Sequence, residues 1–251
     1  MKNRDILIIV SAYNEEENLE KLFINTHKKM LELNRDYKLY IVNDGSTDKS
    51  KTIIESFRNK YPVELINVDI HKGVGNAFNL GFRLVLDSAK EESIILTKEA
   101  DNTSNLNIMG DLINAIESQN DIALASCYAN KGAVLGTTYS RIILSKIANF
   151  MLKTLFPIIG VNTYSSFYRA YNLTFLKKAF EFYGTNLITE SGFVCMAEML
   201  IKFNKLGAKI VEIPMVLHCN FRKGKSKMKC LVTVISYFKL FFKLNHDKET
   251  N

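Results

Sequence analysis

The sequence predicts an α/β fold, a mostly parallel twisted sheet with helices on both faces, and three observations predict it. Short, continuously apolar runs recur through the first half of the chain, as strands buried on both faces of a parallel sheet require. Amphipathic segments at helical spacing lie between them. Polar clusters follow the ends of these runs, at Tyr13-Asn14-Glu15, Asn43-Asp44, 69–73 and Glu99 to Asp101, and ligands of such sheets bind at that edge.

Ile6-Leu7-Ile8-Ile9-Val10 is the first strand. Asn14 followed by Glu15, Glu16 and Glu17 reads as a helix start: Asn can cap free N–H groups, and the acids face the positive end of the helix dipole. Leu19, Leu22, Phe23 and Leu31 mark the inward stripe of that helix. Leu39 to Val42 is the second strand, and Asp48 is placed to cap the next helix, with Ile53, Ile54 and Phe57 inward. A strand over 63–68, a helix over 75–90, a strand over 93–97, a helix over 106–118 and a strand over 122–126 follow. The second half is more helical. It reads as a helix over 139–156 ended near Pro157, another over 189–206 closed by Gly207, and a strand over 209–213 stopped by Pro214. A basic stretch from Arg222 to Lys229 precedes a last helix carrying Leu231, Val234, Ile235, Phe238, Phe241 and Phe242. With no repeat, linker or low-complexity segment, the chain divides into one domain over 1–229 and a C-terminal amphipathic helix and tail over 230–251.

The bulk properties bound the function. A chain of 251 residues with 47% hydrophobic and 24% charged residues can bury one large core. The net charge of +7 favours an anionic partner such as a phosphorylated ligand or a lipid headgroup. Trp is absent and the basic residues are mostly spread out; charge alone does not choose among anionic partners, and a nucleic-acid partner is not expected. The four cysteines, Cys127, Cys195, Cys219 and Cys230, form no C-x-x-C pair and read as reduced thiols. The apolar run at the N-terminus is too short for a signal segment, and no stretch offers about 18 uninterrupted apolar residues. The expected location is the cytosol, at the cytosolic face of a membrane.

Glu99-Ala100-Asp101 is the first chemical candidate. Residues i and i+2 leaving a strand project to one side, so two carboxylates converge and can share a hard divalent cation such as Mg²⁺ or Mn²⁺. A solvated acidic loop would look the same in sequence. Lys72-Gly73-Val74-Gly75 precedes a helix, where a lysine and free backbone N–H groups suit an anion. It is a poor dinucleotide fingerprint, because Phe78 holds the third glycine position and the stretch follows the third strand, not the first. The histidines are scattered, and His218 reads as structural. Glu190 and Glu198 are base candidates for a hydroxyl acceptor, with Glu198 read as a hydrogen-bond partner of the core. The last helix, with Lys227, Lys229, Lys239 and Lys243, suits peripheral contact with an anionic membrane, or packing on the domain or on a second subunit of a homo-oligomer.

Taken in order, these segments resemble family 2 glycosyltransferases, in particular the polyprenyl- or dolichyl-phosphate mannosyl- and glucosyltransferase branch. The resemblance is carried by Val10 to Leu19 (P-A-Y-N-E-x-x-N-L in the family), Val42-Asn43-Asp44-Gly45-Ser46-Thr47-Asp48 (V-D-D-G-S-x-D) and His71-Lys72-Gly73. It continues through Glu99-Ala100-Asp101 (D-x-D), Arg141 to Ser145 with Ala148-Asn149, Ser165 to Tyr171, and Arg222 to Lys227 (R-x-x-G-x-S-K). It implies a GT-A fold and transfer of a hexose, with inversion, from a GDP- or UDP-sugar. Ala12, Tyr13, Glu15, Asp44, Lys72 and Gly73 would line the nucleotide-sugar site, and Asp101 with Glu99 would hold Mg or Mn. For a polyprenyl-phosphate acceptor, Arg141 and Ser145, one helical turn apart, with Arg169, Arg222 and Lys227 would hold the phosphate; the alternatives are a hydroxyl acceptor in surface-polysaccharide or glycolipid synthesis, and a non-catalytic nucleotide-sugar-binding protein. The chain departs from the family pattern at Ser11, Asn43, Glu99 and Ser166, and at Cys127, where the lipid-phosphate branch has an arginine.

Overall fold

Successive apolar residues along the first strands point to opposite sides of the sheet, so a strand without polar alternation must be covered on both faces. A computed structural model describing residues 4–224 and 230–246 shows this arrangement. The elements are β1 (Ile6–Ala12), α1 (Glu16–Glu32), β2 (Tyr37–Asp44), α2 (Ser50–Phe57), β3 (Val63–Val68), α3 (Val74–Ser88), β4 (Ile94–Glu99), α4 (Met109–Glu117) and β5 (Ile122–Ser126). They continue with β6 (Ala133–Leu135), α5 (Tyr139–Leu155), β7 (Arg169–Asn172), α6 (Leu173–Tyr183), α7 (Cys195–Lys205), β8 (Ile210–Pro214), β9 (Val216–His218) and α8 (Cys230–His246).

The main sheet has seven strands in the order β3-β2-β1-β4-β7-β5-β8. All its pairings are parallel except those of β7, which runs antiparallel to both neighbours. Ile6, Ile8 and Val10 face a layer made by Leu19, Leu22 and Phe23 of α1 and Met109, Leu112 and Ile113 of α4. Leu7, Ile9 and Ile95 face Phe78, Phe82 and Val85 of α3 and Met196, Met199 and Phe203 of α7. A third cluster joins Ala148 and Leu152 of α5 to Leu200 of α7 and to Tyr237, Leu240 and Leu244 of α8. The last helix therefore packs on the domain through one face, while Ile235, Phe238 and Phe242 stay exposed. No helix among the described residues is long and apolar enough to cross a membrane.

The five strands expected in the first half are all present, and the expected strand at 209–213 is β8. Strand β7 was not expected; it enters between β4 and β5 and separates them. The pair β6 and β9 was not expected either. The helix expected over 189–206 begins only at Cys195: the amides of Thr189 and Glu190 bond to the Glu198 carboxylate, which holds 189–192 as a loop. Asn14 does not cap α1. It takes φ 52 and accepts the Thr47 amide at 2.8 Å, so it joins the loops after β1 and β2. Asp48 does accept the Ser50 amide, at 2.9 Å.

Phe82 is fully buried and meets the Tyr171 ring edge-on at 5.6 Å. Phe82→Ala should cost about 3–5 kcal/mol, read by denaturant unfolding. A loss below about 1 kcal/mol would show that α3 is not packed on the sheet as described.

Candidate active site

Parallel strands β2, β1 and β4 lie side by side and end at one edge. Their carboxyl ends deliver Asp44, Ala12 with Tyr13, and Glu99 with Asp101 to that edge. Asp44 is almost wholly buried. Its Oδ1 accepts the Lys72 amide at 3.0 Å, and its Oδ2 accepts the Gly73 amide at 2.8 Å. The same Oδ2 lies 2.8 Å from His71 Nδ1. The carboxylate is thus the staple of the 71–73 turn, and Gly73, at φ 96, lets the chain pass there without a Cβ clash. Tyr13 stacks on the His71 ring with centroids 3.8 Å apart and planes 17° off parallel. Glu15 is buried and accepts Asn18 Nδ2 at 2.7 Å.

At the end of β4, Asp101 Oδ1 accepts the Thr103 amide at 3.1 Å and the Thr103 hydroxyl at 2.7 Å. Its Oδ2 receives Arg222 Nε at 2.7 Å and Nη2 at 2.5 Å. Glu99 accepts the Ser104 hydroxyl at 2.6 Å. Burial, and then the neighbouring Asp101, push the Glu99 carboxyl above its ordinary range. Lys98, buried in the same strand, donates to the Glu99 carbonyl at 3.1 Å. Burial drives its ammonium down to about 8, against the pull of Glu99 and Asp101.

Segment 216–224 crosses the mouth of this edge. The His218 amide donates to Thr103 O at 2.9 Å, the His218 ring stacks on Phe221 at 4.7 Å, and Lys21 lies 5.0 Å from the Phe221 ring centre. Lys223 exchanges backbone bonds with the Asn18 side chain at 2.9 and 3.1 Å. Arg222 is thereby held over Asp101 by a segment anchored on α1. Cys219 sits among these charges: burial raises its thiol, Arg222 and Arg141 lower it, and Asp101 and Glu99 raise it. Arg141 thus belongs to the same charged neighbourhood.

The structure brings Ala12, Tyr13, Glu15, Asp44, Lys72, Gly73, Glu99, Asp101 and Arg222 to this edge, with Arg141 near enough to Cys219 to act on its thiol. Ser145 follows one turn after Arg141 on α5, beside the Tyr128 phenol. Arg169 is not brought to the surface of the cleft. It lies in β7, fully buried, with Nη2 donating to Tyr164 O at 2.8 Å. Lys227 lies outside the described residues. His71, Thr103, Asn18 and Cys219 belong to the site although the sequence did not single them out. His71 had a signal, because it opens the turn before Lys72-Gly73. Cys127, at the end of β5, has its thiol raised to about 11 by burial.

Among the described residues no group of three or more His, Cys, Asp or Glu side chains could hold a metal. The Glu99 and Asp101 pair nevertheless fits the mode in which one or two carboxylates and substrate phosphates share a Mg²⁺-like ion. One carboxylate oxygen of Asp101 is within reach of Arg222, and the other of Thr103.

Residues 7–185 match the family described as Glycosyl transferase family 2. The dolichol-phosphate mannosyltransferase of Pyrococcus furiosus is 30% identical over 243 residues, 95% of this chain and 63% of that protein. The polyprenol monophosphomannose synthase of Mycolicibacterium smegmatis is 25% identical over 224 residues, covering 88% of this chain and 80% of the relative. The chain thus spans less than two thirds of the Pyrococcus protein. Among solved structures, glucosyl-3-phosphoglycerate synthase of Mycobacterium tuberculosis, in complex with Mn²⁺, uridine diphosphate and phosphoglyceric acid, superposes with a TM-score of 0.64 at 17% identity, over 94% of this chain and 77% of that one. S. aureus TarS in complex with UDP-GlcNAc gives a TM-score of 0.54 at 19% identity, over 88% and 60%. These likenesses establish the GT-A fold.

Lys98 yields a pH prediction. Its ammonium loses its proton near pH 8 when folded and near 10.5 when exposed, so between these values the unfolded chain binds more protons and stability rises with pH. Lys98→Met should stabilise the fold at pH 7 by on the order of 1–3 kcal/mol, and this advantage should shrink from pH 8 towards 10.5. Parallel stability–pH curves for the two proteins would contradict the burial described.

Proposed function

The chain belongs to glycosyl transferase family 2, and from that premise we propose that it transfers a hexose, with inversion, from a GDP- or UDP-sugar to a polyprenyl phosphate. The observation that carries the proposal is the Arg222 guanidinium paired with Asp101, next to Glu99, at the ends of the parallel strands, with Arg141 close enough to act on Cys219 of the crossing segment. Such a site offers cations to phosphate oxygens and acidic oxygens to a divalent ion within one cleft.

In this reading, Tyr13 and His71 form a stacked shelf for the base, and Asp44 shapes the wall of the nucleotide site by fixing the turn of Lys72 and Gly73. Glu15 lines its floor together with Ala12. Asp101, helped by Glu99, would hold Mg²⁺ or Mn²⁺, which when bound supplies positive charge to the leaving diphosphate. The acceptor phosphate oxygen attacks the anomeric carbon as the bond from that carbon to the diphosphate oxygen breaks. A phosphate is already anionic and needs no general base. Arg141 and Ser145 on one turn of α5, with Arg222 from the crossing segment, would orient it.

Two features favour the lipid phosphate over a hydroxyl acceptor. A hydroxyl needs a base, and both carboxylates considered for that role have partners. Glu198 is fully buried, with Thr189, Glu190 and Lys202 as donors, and Glu190 pairs with Lys243 at 3.1 Å. Beside Ser145, a groove of about 630 Å³ runs along α5 between Cys127 and Lys153, lined by Tyr128, Tyr139, Ile142 and Phe150, and offers room for an apolar chain. Peripheral contact with the cytosolic face of a membrane belongs to the same reading. Exposed Tyr139, Ile143, Ile147 and Phe150 on α5, with Ile235, Phe238 and Phe242 on α8, supply its apolar side.

Incubating the protein with labelled GDP- and UDP-hexoses, polyprenyl phosphate and Mn²⁺ should give solvent-extractable lipid-linked label. Asp101→Asn should lower kcat/KM by about 100-fold or more. If the wild-type protein makes no lipid-linked product from any donor, the acceptor assignment is wrong. An Asp101→Asn enzyme as active as wild type would remove the metal role.

A further inference from the structure

A loop lies between the 71–75 turn and the terminal helix, and it touches both. From behind, Glu198 of α7, fully buried, accepts the Thr189 amide at 2.9 Å, the Thr189 hydroxyl, and the Glu190 amide at 2.9 Å. Lys202 neutralises that carboxylate at 2.5 Å. In front, the Gly75 amide donates to Ser191 O at 2.8 Å. The approach is close enough that a Cβ at Gly75 would sit 1.9 Å from Glu190 O, and one at Gly73 would sit 2.5 Å from Ser191 O. From outside, Lys243 of α8 donates to Thr189 Oγ1 at 2.7 Å and to Glu190 Oε1 at 3.1 Å. On its far side the same turn gives its Lys72 and Gly73 amides to Asp44 and its His71 ring to Tyr13.

We infer that Thr189 to Ser191 is a strap through which α8 sets the nucleoside-diphosphate affinity of the 71–75 turn, with Lys243 and Glu198 as positioning residues that touch no substrate. This rests on the turn being part of the donor site, as proposed above. The physical reason lies in the two glycines. Backbone meets backbone at Gly73 and Gly75 with no side chain between to absorb movement, so a shift of the strap shifts the turn. Glu198 fixes the strap from the core, and Lys243 is its link to the terminal helix packed on the domain. A surface ion pair by itself contributes little to stability, so removing Lys243 should move the turn without unfolding the protein.

The experiment measures binding of UDP and GDP to the full chain by calorimetry, together with the unfolding temperature of the free protein. Lys243→Met should weaken the better-binding nucleotide about 3- to 10-fold, with the unfolding temperature nearly unchanged; in the transfer assay the donor KM should rise while kcat holds. Lys243→Arg should restore binding, and Lys239→Met, a neighbouring lysine on α8, should leave it unaffected. Glu190→Gln should weaken binding to a similar degree, and the double variant Glu190→Gln with Lys243→Met should be no worse than either single one. Asp44→Asn reports on the site itself. If Asp44→Asn weakens binding while Lys243→Met and Glu190→Gln change it less than twofold, the strap is overturned and the donor site stands. If Asp44→Asn also has no effect, both readings fall. A fall in kcat with unchanged KM would likewise overturn the inference.

Discussion

The carboxylate of Asp101 is the contact on which the cleft depends. Its two oxygens face different partners: one is held by Thr103, two residues on, and the other by Arg222, far away in sequence. The first contact fixes how the chain leaves β4. The second draws the 216–224 segment across the open edge of the sheet, where Lys223 then reaches Asn18, and Asn18 reaches Glu15. One half-buried ion pair therefore joins the ends of β4 and β1 to a segment that has already left the sheet. A charge-assisted pair with two N–H donors on one carboxylate oxygen is strong and directional. Arg222 is also a cation with which a divalent ion, as proposed for the acidic pair, would have to compete for the Asp101 carboxylate.

Much of the fold was legible because the parallel strands are buried on both faces. Ile6 to Val10, Leu39 to Val42 and Ile94 to Leu96 carry no charged residue to suggest another structure. Strand β7 was not legible for the opposite reason. Arg169-Ala170-Tyr171-Asn172 is polar by composition, and only its position between β4 and β5 buries the arginine and the tyrosine. The loop at 189–194 was read as the start of a helix because nothing local opposes that. What unwinds it is the side chain of Glu198, one turn into α7, which claims amides that helical bonding would leave free near an N-terminus. Asn14 shows the same limit. Its residue type fits a cap, yet the structure uses its side chain to bridge two loops.

The candidate site divides along similar lines. Tyr13, Asp44 and Asp101 could be placed from sequence because each follows an apolar strand at the edge where such sheets bind ligands. Cys219 could not, since what brings it in is the path of the segment after β9. Arg169 illustrates the reverse error: an arginine in a motif-like stretch suggests a phosphate, but strand alternation turns it inward. Lys98 was passed over because a lysine before an acidic pair looks like ordinary surface sequence. Its burial makes it the strongest electrostatic oddity of the strand.

Helix α5 connects the two halves of the proposed reaction. Tyr139, Ile143, Ile147 and Phe150 recur at intervals of four, four and three, so they share one face of the helix, and all four are exposed. Arg141 and Ser145 fall on another face, towards Cys219 and Tyr128. A helix with its side chains is about 10–12 Å across, comparable to the 5–10 Å depth at which an amphipathic helix buries its apolar face in a bilayer. If that face lies in the interface, Arg141 stands about one helix diameter above the acyl boundary, at the level of lipid headgroups. A lipid phosphate would then reach the arginine without leaving the membrane, and the sugar donor would approach from the opposite, aqueous side through the turn held by Asp44. An amphiphilic acceptor and a water-soluble donor need this separation, and in the proposed reading the two faces of α5 would supply it.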